Sequence, residues 1–249
     1  MTINDLTVIL YTSNYMDDKN PYFISNTRKQ LLKAIGKQPL VIVSQKPLLI
    51  GDNSTNICLG DIGRSHLNIY KQMLIGAKEA KTDYVALAED DILYSYEHFH
   101  PSLYIKTEHI DGKTFLYDMA KVSLFTWTKP PMFSFRTKRM VVNQLIAPRL
   151  QFIKALEERF KRVEWLLASG RPLEKIIKYW GDIGRYEKLL GVSTQETYEF
   201  YSWVPSVVFS HEHAYGYLNQ GKKKKIGDLR IIELADWGKA SDVLKLFYE

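Results

Sequence analysis

The chain has 249 residues, 45% of them apolar and 25% charged, which is ordinary for a soluble globular protein and long enough for one large domain with a sizeable core. No apolar run approaches the roughly 18 residues of a membrane span, the N-terminus lacks a basic-then-apolar leader pattern, and Cys58 is the only cysteine, which excludes an internal disulfide; a cytoplasmic setting is the simplest expectation. Lys and Arg number 34 against 28 Asp and Glu, a net charge of +6 and a pI near 9.1, which favours anionic partners such as nucleic acid, nucleotides or acidic glycans but also fits a merely basic protein.

In chain order, strand and helix signals alternate over the first part. Thr7-Val8-Ile9-Leu10-Tyr11 reads as a buried strand that breaks into polar Thr12-Ser13-Asn14. Asn20-Pro21 offers a cap followed by proline in the first turn of a helix. Ile24, Leu31, Leu32 and Ile35 share one face of that helix, and Gly36 suits its stop. Leu40 to Val43 is a second strand, ended by Ser44-Gln45-Lys46-Pro47. Ser65 caps a predicted helix in which Tyr70, Met73, Leu74 and Ala77 follow helical spacing. Tyr84-Val85-Ala86-Leu87-Ala88 is the next strand. Strands separated by helices predict βαβ units and a mostly parallel sheet flanked by helices, an α/β fold.

The middle changes character. Thr114 to Asp118 and Val122 to Trp127 are expected as neighbouring antiparallel strands, ended by Pro130-Pro131. A helix is expected from Pro148, with Phe152, Ile153, Leu156 and Phe160 on one face. Asp182 to Leu190, closed by Gly191, reads as a short helix, and Val204 to Phe209 as an apolar strand. The stretch from His211 to Gly227 is polar and strongly basic.

The chemistry concentrates at strand ends. Glu89-Asp90-Asp91 follows directly on the strand that ends at Ala88. In an open α/β sheet that edge is where ligands bind, and clustered carboxylates gain most from a hard divalent cation that shares its coordination with phosphate. The plain alternative is a solvated acidic turn. Thr12-Ser13-Asn14, Ser44-Gln45 and Gly63-Arg64-Ser65 are expected on the same edge and together could enclose a nucleotide. Arg64 precedes a helix N-terminus, a setting that favours anions, though it also suits a surface salt bridge. His211 and His213, spaced i, i+2, are expected to face one side of an extended segment, as ligands or as two half-exposed histidines. Lys222, Lys223, Lys224 and Lys225 lie between glycines, as a phosphate-gripping loop or a solvated one. Arg136, Lys138 and Arg139 beside Phe133 and Phe135 mix bases and aromatics, but such aromatics are more often core. Cys58 reads as a small buried hydrophobe, with no basic neighbour to activate it.

Thr12-Ser13-Asn14, Val43-Ser44-Gln45-Lys46-Pro47, Gly60-Asp61-Ile62-Gly63-Arg64-Ser65 and Ala88-Glu89-Asp90-Asp91 resemble GT-A glycosyltransferases, above all family-2-like members of bacteria and their phages. Asn143 to Arg149 and Val207 to His213 resemble them more loosely. The resemblance implies one GT-A domain, with a nucleotide-sugar-binding half over about residues 1–110 and an acceptor-binding half over about 111–249. It implies a UDP-sugar donor and a Mn²⁺ or Mg²⁺ ion. The acidic triplet corresponds to the family's Asp-any-Asp motif with Glu89 in first place; Asp91 is then the metal ligand, Glu89 and Asp90 face the ribose or metal-bound water, and His211 or His213 completes the site. Thr12, Ser13, Asn14, Gln45 and Arg64 become nucleotide contacts. An inverting transferase needs a carboxylate base, for which Asp182 and Glu187 are the candidates, Asp182 doubling as a helix cap and Glu187 as a surface charge. The acceptor is expected to be a hydroxymethylated pyrimidine in DNA, a surface glycan or a protein hydroxyl. The rivals are a sugar-phosphate nucleotidyltransferase, against which the absence of a glycine-rich loop after the first strand counts, and a non-catalytic nucleic-acid-binding protein.

Overall fold

A computed structural model of the protein describes residues 6–135, 140–177, 182–214 and 228–248. The first part runs β1 (Leu6–Tyr11), α1 (Tyr15–Lys19), α2 (Pro21–Ile35), β2 (Leu40–Ser44), β3 (Ser54–Cys58), α3 (His66–Glu79) and β4 (Tyr84–Ala88). It continues through β5 (Ile92–Leu93), β6 (Phe115–Asp118), β7 (Lys121–Phe125), β8 (Phe133–Phe135), β9 (Leu145–Pro148), α4 (Arg149–Ala168), α5 (Leu173–Ile177) and α6 (Glu187–Leu190). The last part is β10 (Thr197–Phe200), β11 (Ser206–Ser210), β12 (Asp228–Arg230), the pair β13 (Glu233–Leu234) and β14 (Gly238–Lys239), and the C-terminal helix Ala240–Tyr248.

The strands form a seven-stranded sheet in the order β10-β6-β9-β4-β1-β2-β3. β1, β2 and β4 are apolar runs buried along their whole length, as central strands covered on both faces must be. Only β9 runs against the rest, pairing antiparallel with β4 and β6. On one face α3 and α4 cover Ile9, Val85, Leu87 and Phe115; on the other α2 and the β5–β6 connection cover Val8, Leu10, Ala86 and Leu116. Each large aliphatic or aromatic side chain so buried contributes about 1.5–3 kcal/mol. This is the expected α/β class, a mostly parallel sheet flanked by helices. The caps fall as expected too. The Asn20 side chain accepts the Phe23 N–H at the start of α2, and Ser65 accepts the Asn68 N–H at the start of α3. Gly76 brings α3 hard against the sheet, since a Cβ there would overlap the Ile9 side chain.

A second sheet of five strands, β12-β8-β7-β11-β5, packs with Phe23, Ile24 and the C-terminal helix. It corrects the expected hairpin. β6 and β7 do not pair, because β9 and β10 already occupy both edges of β6. The chain turns at Met119-Ala120, where Asp118 Oδ1 accepts the Ala120 N–H at 2.9 Å, and β7 enters the second sheet beside β8 and β11. Strands β3 and β9 escaped the sequence because β3 is a half-exposed edge strand with little apolar content and β9 abuts a helix directly. Cys58 ends that edge strand and is exposed, not buried as expected. Of the helix expected over 182–190 only Glu187–Leu190 is helical, because Gly184 at φ +86° breaks the run; Gly191 closes it as expected at φ +76°.

Candidate nucleotide and metal site

β1, β2, β3 and β4 are mutually parallel, so their carboxyl ends open at one edge. The loops there are stitched together. Asn14 adopts the left-handed conformation, φ 56° and ψ 13°, which asparagine tolerates better than most residues. Its Oδ1 accepts the N–H groups of Gln45 and Lys46, both at 2.9 Å, and its Nδ2 donates to Asp17 at 2.8 Å. Its own N–H donates to Thr12 Oγ1 at 2.9 Å. Buried Gln72 donates to the carbonyls of Thr12 at 2.8 Å and Val43 at 2.9 Å. Gln45 Nε2 donates to the Gly63 carbonyl at 2.9 Å. The side chains of Thr12 and Asn14, expected on a nucleotide, are thus engaged in holding the loops, while Ser13 is half-buried between them.

The acidic triplet divides into three roles. Glu89 accepts from the Tyr11 hydroxyl and from Asn143 Nδ2, each at 2.7 Å. Burial, reinforced by the charge of Asp91, pushes its carboxyl up to about 7 in spite of those two bonds. Asp90 is gripped on both oxygens by Arg28 of α2, at 3.0 Å each, and Arg28 also holds Asp17 of α1 at 2.7 Å. A ribose or metal-water role for Asp90 meets that bidentate pair. Asp91 remains, one quarter exposed, with Oδ2 at 3.7 Å from His211 Nε2. That is too long for a hydrogen bond. His211 is 1% exposed, and among the described residues neither ring nitrogen has a hydrogen-bond partner. The backbone fixes this approach, because Phe209 N donates to the Asp91 carbonyl at 2.9 Å where β11 meets β5.

The two histidines do not lie in an extended segment. β11 ends at Ser210, and the chain then turns, the Ala214 N–H closing on the His211 carbonyl at 3.0 Å. His213 nevertheless stays close, its ring centroid 6.3 Å from that of His211. Arg64 Nη2 donates to the His213 carbonyl at 2.8 Å, and its guanidinium stacks 4.2 Å above the Tyr15 ring. Tyr15 in turn meets His213 edge-on at 5.7 Å. The β3–α3 loop, α1 and the turn after β11 therefore share one wall.

The two base candidates separate. Glu187 is 4% exposed and bound at 2.7 Å by Arg159, itself 1% exposed, and it also accepts the Gly184 N–H. A carboxylate sealed in that way cannot reach an acceptor, which corrects the expectation of a surface charge. Asp182 accepts the Val142 N–H at 3.0 Å and pairs with Arg185 at 2.8 Å, and its charge is felt at Glu89 and at His66. Burial lowers the His66 pKa below its ordinary value, opposed by Asp182. Lys222 to Lys225, and Arg136, Lys138 and Arg139, lie outside the described residues. Phe133 is fully buried, as core rather than as a base-stacking surface.

Sequence reasoning missed Tyr11, Tyr94, Arg28 and Tyr15, whose signal is only their place near strand ends or on a helix, and Asn143, which lay in a stretch quoted for resemblance alone. Tyr94 is fully buried, and its hydroxyl takes the Glu89 N–H at 3.1 Å and gives to the Asn143 carbonyl at 3.0 Å. Among the described residues no group of three or more His, Cys, Asp or Glu side chains gathers in a way that could hold a metal ion. Nor is any described helix long and apolar enough to cross a membrane.

No family model and no curated protein matches the chain. Similar solved structures include the glycosyltransferase GlyE of Streptococcus pneumoniae TIGR4, 10% identical with a TM-score of 0.47 over 79% of this chain and 45% of that one. They include S. aureus TarS 1–349 in complex with UDP-GlcNAc, 11% identical with a TM-score of 0.46 over 83% and 58%. A Methanothermobacter nucleotidyl transferase is 13% identical with a TM-score of 0.36 over 62% of this chain and 76% of that one. The chain thus spans about half the length of the two glycosyltransferase chains, and what it does is read from its own residues.

Proposed function

We propose that the protein is a divalent-metal-dependent GT-A glycosyltransferase that moves a sugar from a UDP-sugar to an acceptor hydroxyl. The observation that carries this reading is the pair Asp91 and His211. Two donors far apart in sequence meet at 3.7 Å on the ligand-binding edge of the sheet, and the buried histidine has no hydrogen bond on either nitrogen. A buried, unpaired imidazole is costly unless something uses it. Neighbouring octahedral ligands at roughly 2.1 Å from one small ion lie about 3.0 Å apart, so the pair would close by about 0.7 Å to share it, and Mg²⁺-type ions draw their remaining ligands from water and phosphate.

When bound, Mn²⁺ or Mg²⁺ supplies charge neutralisation to the departing diphosphate. Asp91 and His211 would hold the ion, with His213 beside them. Tyr11, Asn143 and Arg28 fix Glu89 and Asp90, so that Asp91 is the uncommitted carboxylate of the triplet. The Arg64 guanidinium on Tyr15, with Ser13 and Gln45, lines the nucleotide side. Lys222 to Lys225 serve the phosphates or the acceptor. In an inverting reaction the acceptor hydroxyl gives its proton to Asp182 as its oxygen bonds the anomeric carbon and the diphosphate leaves; His66, kept neutral by burial, is the second group able to take it. Residues 1–110 make the donor half and 111–249 the acceptor half, acting in the cytoplasm. The charge of +6 is what favours modified pyrimidine in DNA as a second acceptor reading. Against a nucleotidyltransferase stands the β1–α1 connection, which is three residues long and closed by the Asn14 side chain.

Titration calorimetry with UDP and UDP-sugars in Mn²⁺ tests the reading. Metal-dependent binding is expected, and no nucleotide binding at any Mn²⁺ concentration overturns it. Mass spectrometry of DNA and of small acceptors after incubation with sugar nucleotides then identifies the acceptor.

A further inference from the structure

The register across the main sheet places another feature at the same edge. Ala86 and Leu116 both face Ile146 of β9, and Asp118 faces Phe200, so β4, β6 and β10 end level with one another. β10 stands three strand spacings from β4, roughly 14 Å. Beyond Phe200 the chain alternates strictly: Phe200, Ser202 and Val204 are buried, while Tyr201 is 59% and Trp203 83% exposed. The strand itself ends at Phe200, and what Tyr201 and Trp203 share is exposure on either side of buried Ser202.

Their backing is rigid. Asp118, fully buried, accepts the Ser202 hydroxyl at 2.8 Å and the Ser202 N–H at 3.2 Å, and its other buried partner is His98 Nδ1 at 3.1 Å. The Trp203 ring stands edge-on to Tyr104 at 5.2 Å and 88°, with Leu103, also exposed, alongside in sequence. A tryptophan set against a second aromatic ring with most of its surface in water presents an apolar face to a partner rather than to the core.

We propose that Tyr201 and Trp203, braced by Tyr104 and by the buried Asp118–Ser202 clamp, form a platform for a ring of an uncharged glycan chain, the part of the acceptor distant from the transfer site. This rests on the glycosyltransferase reading and deepens it by naming the acceptor class. A flat aromatic face suits the C–H face of a sugar ring, which carries no charge to neutralise. Among the charges near the Tyr104 hydroxyl is the carboxylate of Glu97, which is repulsive to a phosphodiester backbone, while Asp118 is sealed beneath against His98 and Ser202. A nucleic acid is therefore disfavoured at this surface. The spacing from β4 requires an acceptor of several sugar units, since a single ring on the platform cannot also reach Asp91.

The test is binding of the full chain to a printed array of neutral glycans, with a single-stranded DNA oligonucleotide as competitor and UDP with Mn²⁺ titrated separately. Wild-type protein is expected to bind neutral oligosaccharides, Trp203→Ala and Tyr201→Ala to bind them roughly tenfold or more weakly, and Trp203→Phe to recover most of the loss. The Trp203→Ala protein is expected to melt with the wild type and to bind UDP and Mn²⁺ unchanged. A wild type that binds no neutral glycan, a Trp203→Ala protein that binds as well as wild type, or displacement of the glycan by the oligonucleotide overturns the platform. Glycan binding without any UDP binding overturns the transferase reading and leaves the platform standing.

Discussion

Glu187 and Asp91 are both carboxylates set against basic side chains, and they are opposite in kind. At the corner between α4 and α6, Glu187 has everything a buried charge needs: Arg159 at 2.7 Å and a backbone N–H from Gly184. At the end of β4, Asp91 faces a buried histidine at 3.7 Å that bonds to nothing on either nitrogen among the described residues. The first arrangement is complete and belongs to the fold. The second leaves a buried imidazole unsatisfied among the described residues, which is the observation behind the proposed role of Asp91. Sequence position does not make this distinction, since both are carboxylates with a second acidic residue nearby, Asp90 beside Asp91 and Asp182 before Glu187.

Three substitutions probe that contrast. The largest effect is expected from Arg159→Ala, which leaves Glu187 buried without its partner and costs about 3–5 kcal/mol in urea unfolding. Donor binding by the folded fraction should stay intact, and a variant as stable as the wild type would return Glu187 to the list of accessible carboxylates. Next is Asp91→Asn. It should cut Mn²⁺-dependent hydrolysis of the donor about 100-fold or more, or ~2.7 kcal/mol. Its unfolding free energy should move by less than about 0.5 kcal/mol. Unchanged hydrolysis removes Asp91 from the site. The smallest effect is expected from Asp90→Asn, which breaks one of the two carboxylate contacts of Arg28. A stability loss of roughly 1–2 kcal/mol follows, with UDP affinity changed less than about threefold, as the triplet's division of labour requires; a larger drop in affinity, measured by calorimetry, would make Asp90 a nucleotide contact.

Much of the donor side was legible in the sequence. Apolar runs long enough to be buried on both faces read directly as β1, β2 and β4, and the caps at Asn20 and Ser65 announced their helices. The acidic triplet stood out for the same reason. What could not be read was partnership. Nothing in the sequence distinguishes Glu89, held by Tyr11 and Asn143, from Asp90, held by Arg28, because those contacts cross from β1, α2 and the segment before β9. Strands β3 and β9 were missed for lack of an apolar run or a separating turn, and with β9 unseen the antiparallel pairing of β6 and β7 looked natural. Tyr201 and Trp203 were invisible as a platform because exposure is set by Ser202 and Asp118, which anchor the strand from beneath.

The ladder bond from Phe209 N to the Asp91 carbonyl has a consequence of its own. It ties the main chain that carries the carboxylate to the main chain that carries the imidazole, two residues short of His211. A slip of β11 against β5 would therefore change the distance between the two side chains with no substitution at either of them.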